Sequence, residues 1–595
     1  MNKMKYFLVR LVSFPWSVGM QLAMLSPIVI GTAYAAEPGA GQLSEEDVYH
    51  EYGYIRLKDG TRLAHVVWRP SKEGRYPTLF TYDEYIAGGL SFKHAKPFLE
   101  AGYAVLSVSV RGSGCSEGVG YSFLDPPIAP DGAAVVEWAA AQPWSDGNIG
   151  MFGNSNAGMS QLAVAAQRPP HLKAIAPSSI AGSLYRDEGA TTGGMLHLGE
   201  AAHWTFELQP QLARSGVDAR IRGGDTECTM IRAKRPSETS FYKDVLAHPL
   251  QDQYWEDRAL ENTVDKVQVP TLIAQTWQDP WDMPDGALRL FELLKSENKR
   301  LVVQNGGHGG AVSTPRLIRW FDRWVKGEKN GVENEPAVLV NWEQGGAGSS
   351  GWTTSYSKWP VPELRRQTFY LTSDGALTRD SSRLSEKDSI RTYVYPMGFE
   401  LVGNNKQFAL APLSIGSLNY ETDTMSEDLA LLGTPILTFY FSSDQRDTDF
   451  FFTLKDIDAR GNTLFLQRAY LRASLRSIDP RRTTRDYIAH SFRRYEKLVP
   501  GKIYEVKLSL GAIGHVVRKG HRLQLSILAP NPIPSPVMGS VPSGGPSINK
   551  VYHSVRYRSM LDLPVVPGEK AQAPAPECGS LPMQPCRPAA PAVKP

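Results

Sequence analysis

The sequence predicts an α/β fold in which a mostly parallel sheet is interrupted by a helical cap and followed by a C-terminal all-β domain. Three observations carry this. Apolar strands alternate with helical stretches from residue 77 to 176 and again from 269 to 326. Between them, residues 182–265 lose the alternation and become polar with scattered aromatics. After about residue 335 the pattern turns into short alternating segments separated by turn residues, as in a sandwich or jelly roll.

The 595 residues leave room for two to four domains. Apolar residues are 42% and charged residues 21%, which excludes general disorder. Lys plus Arg number 64 and Asp plus Glu 61, so no nucleic-acid partner is expected, because polyanion binders carry a strong basic excess. Four cysteines are too few for a disulfide framework, and no repeat of solenoid length is visible.

Residues 1–10 carry Lys3, Lys5 and Arg10, residues 11–36 carry no charge, and the run ends Thr32-Ala33-Tyr34-Ala35-Ala36. A basic start, an apolar run and an Ala-x-Ala site read as a signal peptide, residues 1–35, cut after Ala35. A periplasmic or secreted protein is the expectation. The other reading of the run, an uncleaved anchor, has to span a bilayer despite Pro15 and Pro27. No later run is long enough to span, so no stable membrane insertion is expected after cleavage.

The elements follow in order. Tyr54 to Leu57 and Leu63 to Trp68 flank Asp59-Gly60, a hairpin signal. Residues 77–81 read as a strand, 91–101 as a helix and 103–110 as a strand buried on both faces. Residues 131–141 read as a helix opened by an Asp131 cap. A strand at 149–152, a helix at 156–167 and a strand at 172–176 complete the first part of the core, 45–181. The block 182–265 is then an insertion over the carboxyl ends of the strands, where open α/β sheets bind ligands. The second part, 266–330, reads as strand 269–276, helix 285–296, strand 300–304 and helix 314–326. The all-β region spans 335–567, and residues 568–595, with seven prolines, read as an extended tail.

The strand at 149–152 runs into Gly153-Asn154-Ser155-Asn156-Ala157-Gly158 and then a helix. A nucleophile elbow needs this construction: small residues let the chain turn sharply from strand to helix, exposing the serine above the sheet. The helix N-terminus behind it favours negative charge on a developing oxyanion. The base and its orienting acid should follow in the order acid, histidine. The strand at 269–276 ends in Trp277-Gln278-Asp279, and the strand at 300–304 ends in Asn305-Gly306-Gly307-His308-Gly309-Gly310. Both leave the same sheet edge as Ser155. Asp282 is the alternative acid, and Asp285 reads as a helix cap. Asp456-Ile457-Asp458 with Gly461 lacks the remaining ligands of a calcium loop and reads as a turn. No metal or organic cofactor is expected.

Arg111-Gly112-Ser113-Gly114-Cys115-Ser116-Glu117-Gly118, Glu137-Trp138 and the run from Gln142 to Ser155 resemble the CocE/NonD hydrolase family. That family includes cocaine esterase, α-amino-acid ester hydrolases, glutaryl acylases and X-prolyl dipeptidyl aminopeptidases. The resemblance extends to Trp277-Gln278-Asp279, Gly307-His308, Arg319-Trp320-Phe321-Asp322 and Gly520-His521-Arg522-Leu523, covering about residues 45–567. It implies an α/β-hydrolase core with an inserted helical cap, followed by a C-terminal all-β jelly-roll domain. It also implies a catalytic triad of Ser155, His308 and Asp279. The oxyanion hole it implies joins the amide of Asn156 to a tyrosine, placed at Tyr82 with Tyr85 the neighbouring alternative.

Two departures matter. Many relatives have Tyr where Asn156 stands, so the wall beside the nucleophile is smaller and more polar. Amino-acid ester hydrolases place a carboxylate where this chain has Ala157, which disfavours an α-amino ester unless Glu200 or Asp225 of the cap substitutes. Trp204 and Phe206 are candidates for an acyl pocket, against the plainer reading of cap core. Cys578 and Cys586 are close enough in sequence to close a small loop, while Cys115 and Cys228 read as separate buried thiols. The expected partner is a small-molecule ester or amide; a homo-oligomer is compatible with the sequence. The competing class is a binding protein whose jelly roll engages a surface polymer.

Overall fold

The computed structural model describes residues 43–588 except 86–88, 120–122, 236–240, 346–350, 397–398, 405–406, 413 and 529–540. The expected signal peptide lies outside the described residues. Among those described, no helix is long and apolar enough to cross a membrane.

The first layer is a ten-stranded sheet. Its strands are β1 (Tyr49–Arg56), β2 (Arg62–Arg69), β3 (Tyr76–Asp83), β4 (Ala104–Ser109), β5 (Ser145–Asn154), β6 (Leu172–Ser178), β7 (Thr271–Thr276), β8 (Lys299–Gln304), β9 (Val338–Trp342) and β10 (Trp352–Tyr356). The order is β1-β2-β4-β3-β5-β6-β7-β8-β9-β10. Strands from β4 across to β9 are parallel, and the flanking pairs are antiparallel. The sheet therefore continues past residue 330: β9 and β10, in the stretch expected to open the all-β region, join the α/β layer.

Both faces of the central strands are covered, and β4 and β7 are buried along their whole length, whereas the edge strands β1 and β10 are partly exposed. In β3, Leu79 packs into the cluster with α1 (Phe92–Glu100) and the helix Thr314–Trp324, while Phe80 packs into the opposite one. Successive side chains point to opposite faces. The second face carries α2 (Ile128–Ala140), α3 (Asn156–Ala165) and the helix Pro284–Leu293. Asp131 does not cap α2. The helix begins three residues earlier, and the Asp131 carboxylate instead takes two bonds from the Arg111 guanidinium, at 2.8 and 2.9 Å.

The 182–265 block folds as short helices, including Leu198–His203, Thr226–Lys234 and Phe241–Ala247, with a π-helical turn at Trp204–Leu208. Cys115 of the core and Cys228 of the cap form a disulfide, correcting the expectation of separate thiols. Their Cα atoms are 4.8 Å apart across 113 residues of chain, a proximity that spacing does not reveal. Asp225 caps the helix holding Cys228 and is paired with Arg220 and Tyr54, so it is committed to the cap.

The C-terminal region packs two antiparallel sheets face to face. Phe439 and Phe441 on Ile436–Ser443 meet Phe450 and Phe452 on Asp449–Ile457, with ring centroids 4.7–5.6 Å apart. Asp458 closes a turn through Asn462 and Gly461, and Asp456 is bonded by His515 and His521. The tail is not simply extended. Cys578 and Cys586 form a disulfide, and Cys586–Arg587 adds a short strand beside Leu464 and Thr463.

Candidate active site

Ser155 sits between β5 and α3 with φ 61° and ψ −125°. A non-glycine residue at positive φ is strained, and such strain concentrates at functional sites. The turn is held by Ser155 N donating to Ser178 O at 2.9 Å and by Gly158 N and Met159 N donating to Ser155 O at 2.8 Å. Glycine is required on both sides. A Cβ on Gly153 would lie 2.5 Å from the Cβ of Ala157, and one on Gly158 would lie 2.7 Å from Ser178 O. A sharp strand-to-helix turn thus holds Ser155 between β5 and α3.

His308 and Asp279 are brought together. His308 Nδ1 lies 3.0 Å from each carboxylate oxygen of Asp279, and Asp279 is fully buried. The backbone N–H groups of Trp281 and Asp282 donate to Asp279 Oδ1 at 3.0 and 3.1 Å, fixing the carboxylate. Asp282 Oδ2 is farther from the histidine, at 3.7 Å. Asp285 faces away from the histidine, accepting from Thr434 Oγ1 and Ala512 N of the β domain. The histidine loop is tied to its neighbours by Thr276 Oγ1 to Gly307 O, Gly306 N to Gln278 Oε1 and Gly309 N to Ser179 Oγ. Gly309 also abuts Asn154, the residue before Ser155: a Cβ there would be 3.4 Å from Asn154 Oδ1. The histidine loop therefore lies against the turn that carries Ser155.

Tyr82 does not belong to this edge. It is fully buried, its ring packs on Phe80 and against Gly132 of α2, and its hydroxyl has no partner. Burial pushes its ionisation far above the usual tyrosine range. Tyr85, just beyond the end of β3, is half-buried and accepts a bond from Trp204 Nε1 at 2.6 Å. Between the two tyrosines, Glu84 is fully buried and accepts from Asn156 Nδ2 at 2.5 Å. Burial, then the charge of Asp83, pushes the Glu84 carboxyl up to about 8. Tyr85 is thus next in the chain to Glu84, which holds the Asn156 side chain, and Tyr82 is a core residue.

Residues 59–310 match the family model of the X-Pro dipeptidyl-peptidases (S15 family), and residues 330–541 match that of the X-Pro dipeptidyl-peptidase C-terminal non-catalytic domain. The chain carries a Peptidase S15 domain followed by a PepX_C domain. It is a serine hydrolase. Cocaine esterase from Rhodococcus sp. (strain MB1 Bresler) is 26% identical over 538 residues, covering 80% of this chain and 90% of the esterase. A CocE/NonD family hydrolase of Staphylococcus aureus superposes with a TM-score of 0.72 at 24% identity, covering 87% of this chain and 94% of that structure. An α-amino acid ester hydrolase superposes with a TM-score of 0.66 at 18% identity, over 91% of this chain and all of that one. These likenesses show the fold.

The chain carries a group of acids that the sequence did not single out together. Glu188, Glu200 and Asp282 are buried with Asp279, and Glu188 and Asp282 are bridged through the backbone. Neither carboxylate oxygen of Glu200 has a hydrogen-bond partner, nor does Asp282 Oδ1. Burial pushes the Glu188 carboxyl up to about 8. Burial also raises Glu200 and Asp282, reinforced by their acidic neighbours. Among the described residues, Asp279, Asp282 and His308 are the group whose ligand atoms lie close enough, within 4.8 Å, to hold a metal ion. His308 Nδ1 is already engaged by Asp279 there, so an ion would have to break the pair.

The cap candidates separate. Trp204 reaches the site through Tyr85 and packs on Phe123 and Phe241 at 4.1 and 5.6 Å. Phe206 points outward, 61% exposed, and rests on Tyr242; it does not join Trp204. The β domain also enters the site. Leu466, Gln467 and Arg468 bond in turn to Gln278, Trp277 and Asp279.

Proposed function

We propose that this hydrolase cleaves carboxylic esters or acyl amides through an acyl-enzyme on Ser155, with His308 as general base and Asp279 as its orienting acid. The observation that carries the reading is the meeting of three strand ends: His308 Nδ1 sits between the Asp279 oxygens, and the next residue, Gly309, abuts the elbow at Asn154. With Nδ1 held by Asp279, Nε2 is the nitrogen left to take the Ser155 proton as the oxygen attacks the carbonyl. The oxyanion is held by the Asn156 N–H at the start of α3 and by the hydroxyl of Tyr85, which replaces Tyr82 in this role. His308 then returns the proton to the leaving group and activates water to release the acid.

Fluorophosphonate labelling of the purified protein tests this. Labelling lost in Ser155→Ala and in His308→Ala supports it. No labelling, or labelling unchanged in Ser155→Ala, returns the chain to the class of binding proteins.

The acids favour a second reading within the same chemistry, a substrate whose acyl part carries an ammonium, as in X-Pro dipeptides. Unpaired buried carboxylates are costly, and an ammonium would supply the partners that Glu200 and Asp282 Oδ1 lack. A panel of p-nitrophenyl esters, amino-acid esters and Gly-Pro-anilide distinguishes the two. Preference for the amine-bearing members, reduced in Glu200→Gln, selects the second.

Export to the periplasm or beyond belongs to the same proposal. Two disulfides, Cys115–Cys228 and Cys578–Cys586, support it, since such bonds persist in oxidising compartments. A mature N-terminus at Ala36 in the exported fraction is the result to look for, and a full-length cytosolic protein would count against it.

A further inference from the structure

The loop bearing His308 is intrinsically loose. Gly306, Gly309 and Gly310 all have positive φ, and glycine loses more freedom than any other residue when a chain is fixed. Its inner side is tied by the bonds to Thr276, Gln278 and Ser179. Its outer side meets a segment of this chain that lies beyond both family matches, which end at residue 541.

That segment is closed by the Cys578–Cys586 disulfide and fixed to the strand Thr463–Arg472. Leu464 and Thr463 pair with Cys586 and Arg587. Phe465 N donates to Pro585 O at 3.0 Å, and Gln584 Nε2 returns a bond to Phe465 O at 3.2 Å. Leu581 and Gln584 are buried, and Pro582 packs on Gly345. At the tip, Met583 holds φ 56°, and its Cγ occupies the place where a side chain on Gly307 would begin. Gly307 is the residue before His308. The same strand, through Gln467 and Arg468, holds the backbone at Trp277 and Asp279.

We propose that the disulfide-closed segment 578–586 clamps the histidine loop, with Met583 as a positioning residue for His308. The proposal rests on the reading of His308 as the general base. Acid and base come from separate loops, and their alignment with Ser155 survives only if both are referenced to one rigid element. The strand Thr463–Arg472 is that element: it braces the acid loop directly and the base loop through the clamp. Small misplacement of a catalytic group is costly to the chemical step and less so to binding, so the clamp acts on kcat.

The test compares Met583→Ala, Met583→Leu, the paired Cys578→Ser/Cys586→Ser variant and His308→Ala with the unmodified chain, using a p-nitrophenyl ester. Met583→Ala and the paired serine variant are expected to lower kcat about five- to tenfold with KM changed less than about twofold, and Met583→Leu to stay within about twofold of the unmodified kcat. An unchanged kcat in Met583→Ala, or equal losses in the Ala and Leu variants, overturns the clamp. Activity retained by His308→Ala would instead overturn the reading of His308 as base, so the two failures are told apart.

Discussion

Arg468, a fully buried residue of the β domain, donates from Nη2 to the main-chain carbonyl of Asp279 at 2.8 Å. One residue back, Gln467 Nε2 bridges Trp277 O at 2.6 Å and Ala512 O at 2.7 Å. Gln278 closes the set, donating to Leu466 O and accepting from Gly306 N of the histidine loop. The domain matched as non-catalytic therefore supplies the floor under the candidate acid.

Arg468→Met should leave Ser155 in place and disturb Asp279. A fall in kcat of about tenfold is expected, about 1.4 kcal/mol of lost transition-state stabilisation, with KM little changed. Steady-state kinetics on a p-nitrophenyl ester and the rate of fluorophosphonate labelling should fall together. A normal labelling rate would mean that the brace does not reach the chemistry.

Tyr85→Phe and Tyr82→Phe separate the two tyrosines. Loss of one oxyanion donor costs about 3 kcal/mol, so Tyr85→Phe should reduce kcat/KM by two to three orders of magnitude. Tyr82→Phe removes a hydroxyl that has no partner and should leave kcat/KM within about twofold. The reverse ranking would restore Tyr82 to the oxyanion hole.

Glu84 gives a pH signature in stability. Its carboxyl is held at about 8 in the folded chain, against an ordinary value of 4.5. Between those values the folded chain keeps a proton that the unfolded chain has lost. The stability contributed by this group is thus fully present below pH 4.5 and falls as pH rises towards 8, by an amount of order 3 kcal/mol. Glu84→Gln removes the titration. Urea unfolding at pH 5 and pH 8 should show the Gln variant gaining on the unmodified chain at the higher pH, and parallel behaviour would refute the buried, protonated Glu84.

Cys115→Ser with Cys228→Ser unlinks cap and core. Closing so long a loop restricts the unfolded chain, and a loss of about 2–4 kcal/mol is expected, read from urea denaturation. Because Cys228 sits on a cap helix, the same variant should become more susceptible to proteolysis within residues 182–265. Unchanged stability and digestion would show that the cap is held by packing alone.

The elbow and the acid–histidine order were legible because each lies where a parallel strand ends. Period and glycine spacing locate strand ends well. Tyr82 was misplaced for the same reason in reverse. It lies within β3, where a side chain must pack on one face or the other, whereas Asp279, His308 and Tyr85 all lie just past a strand's carboxyl end. Applied to the tyrosines, that rule would have favoured Tyr85. Asp131 looked like a cap because the identity of its neighbours says nothing about Arg111, twenty residues away in sequence and bonded to it in the fold. Phe206 and Trp204 are two residues apart in one helical turn, which points them to different sides, one to solvent and the other to Tyr85.

By itself the sequence determined that an α/β region is followed by an all-β one and which candidate residue types stand at the sheet edge, since both follow from local periodicity and from residue types at strand ends. The tertiary structure alone decided which distant groups meet: Cys115 with Cys228, Glu84 with Asn156, the acids Glu188, Glu200 and Asp282, and the β-domain strand beneath Asp279. Those meetings depend on how whole elements pack. Packing is set by the summed burial of many side chains, which no short stretch of sequence encodes.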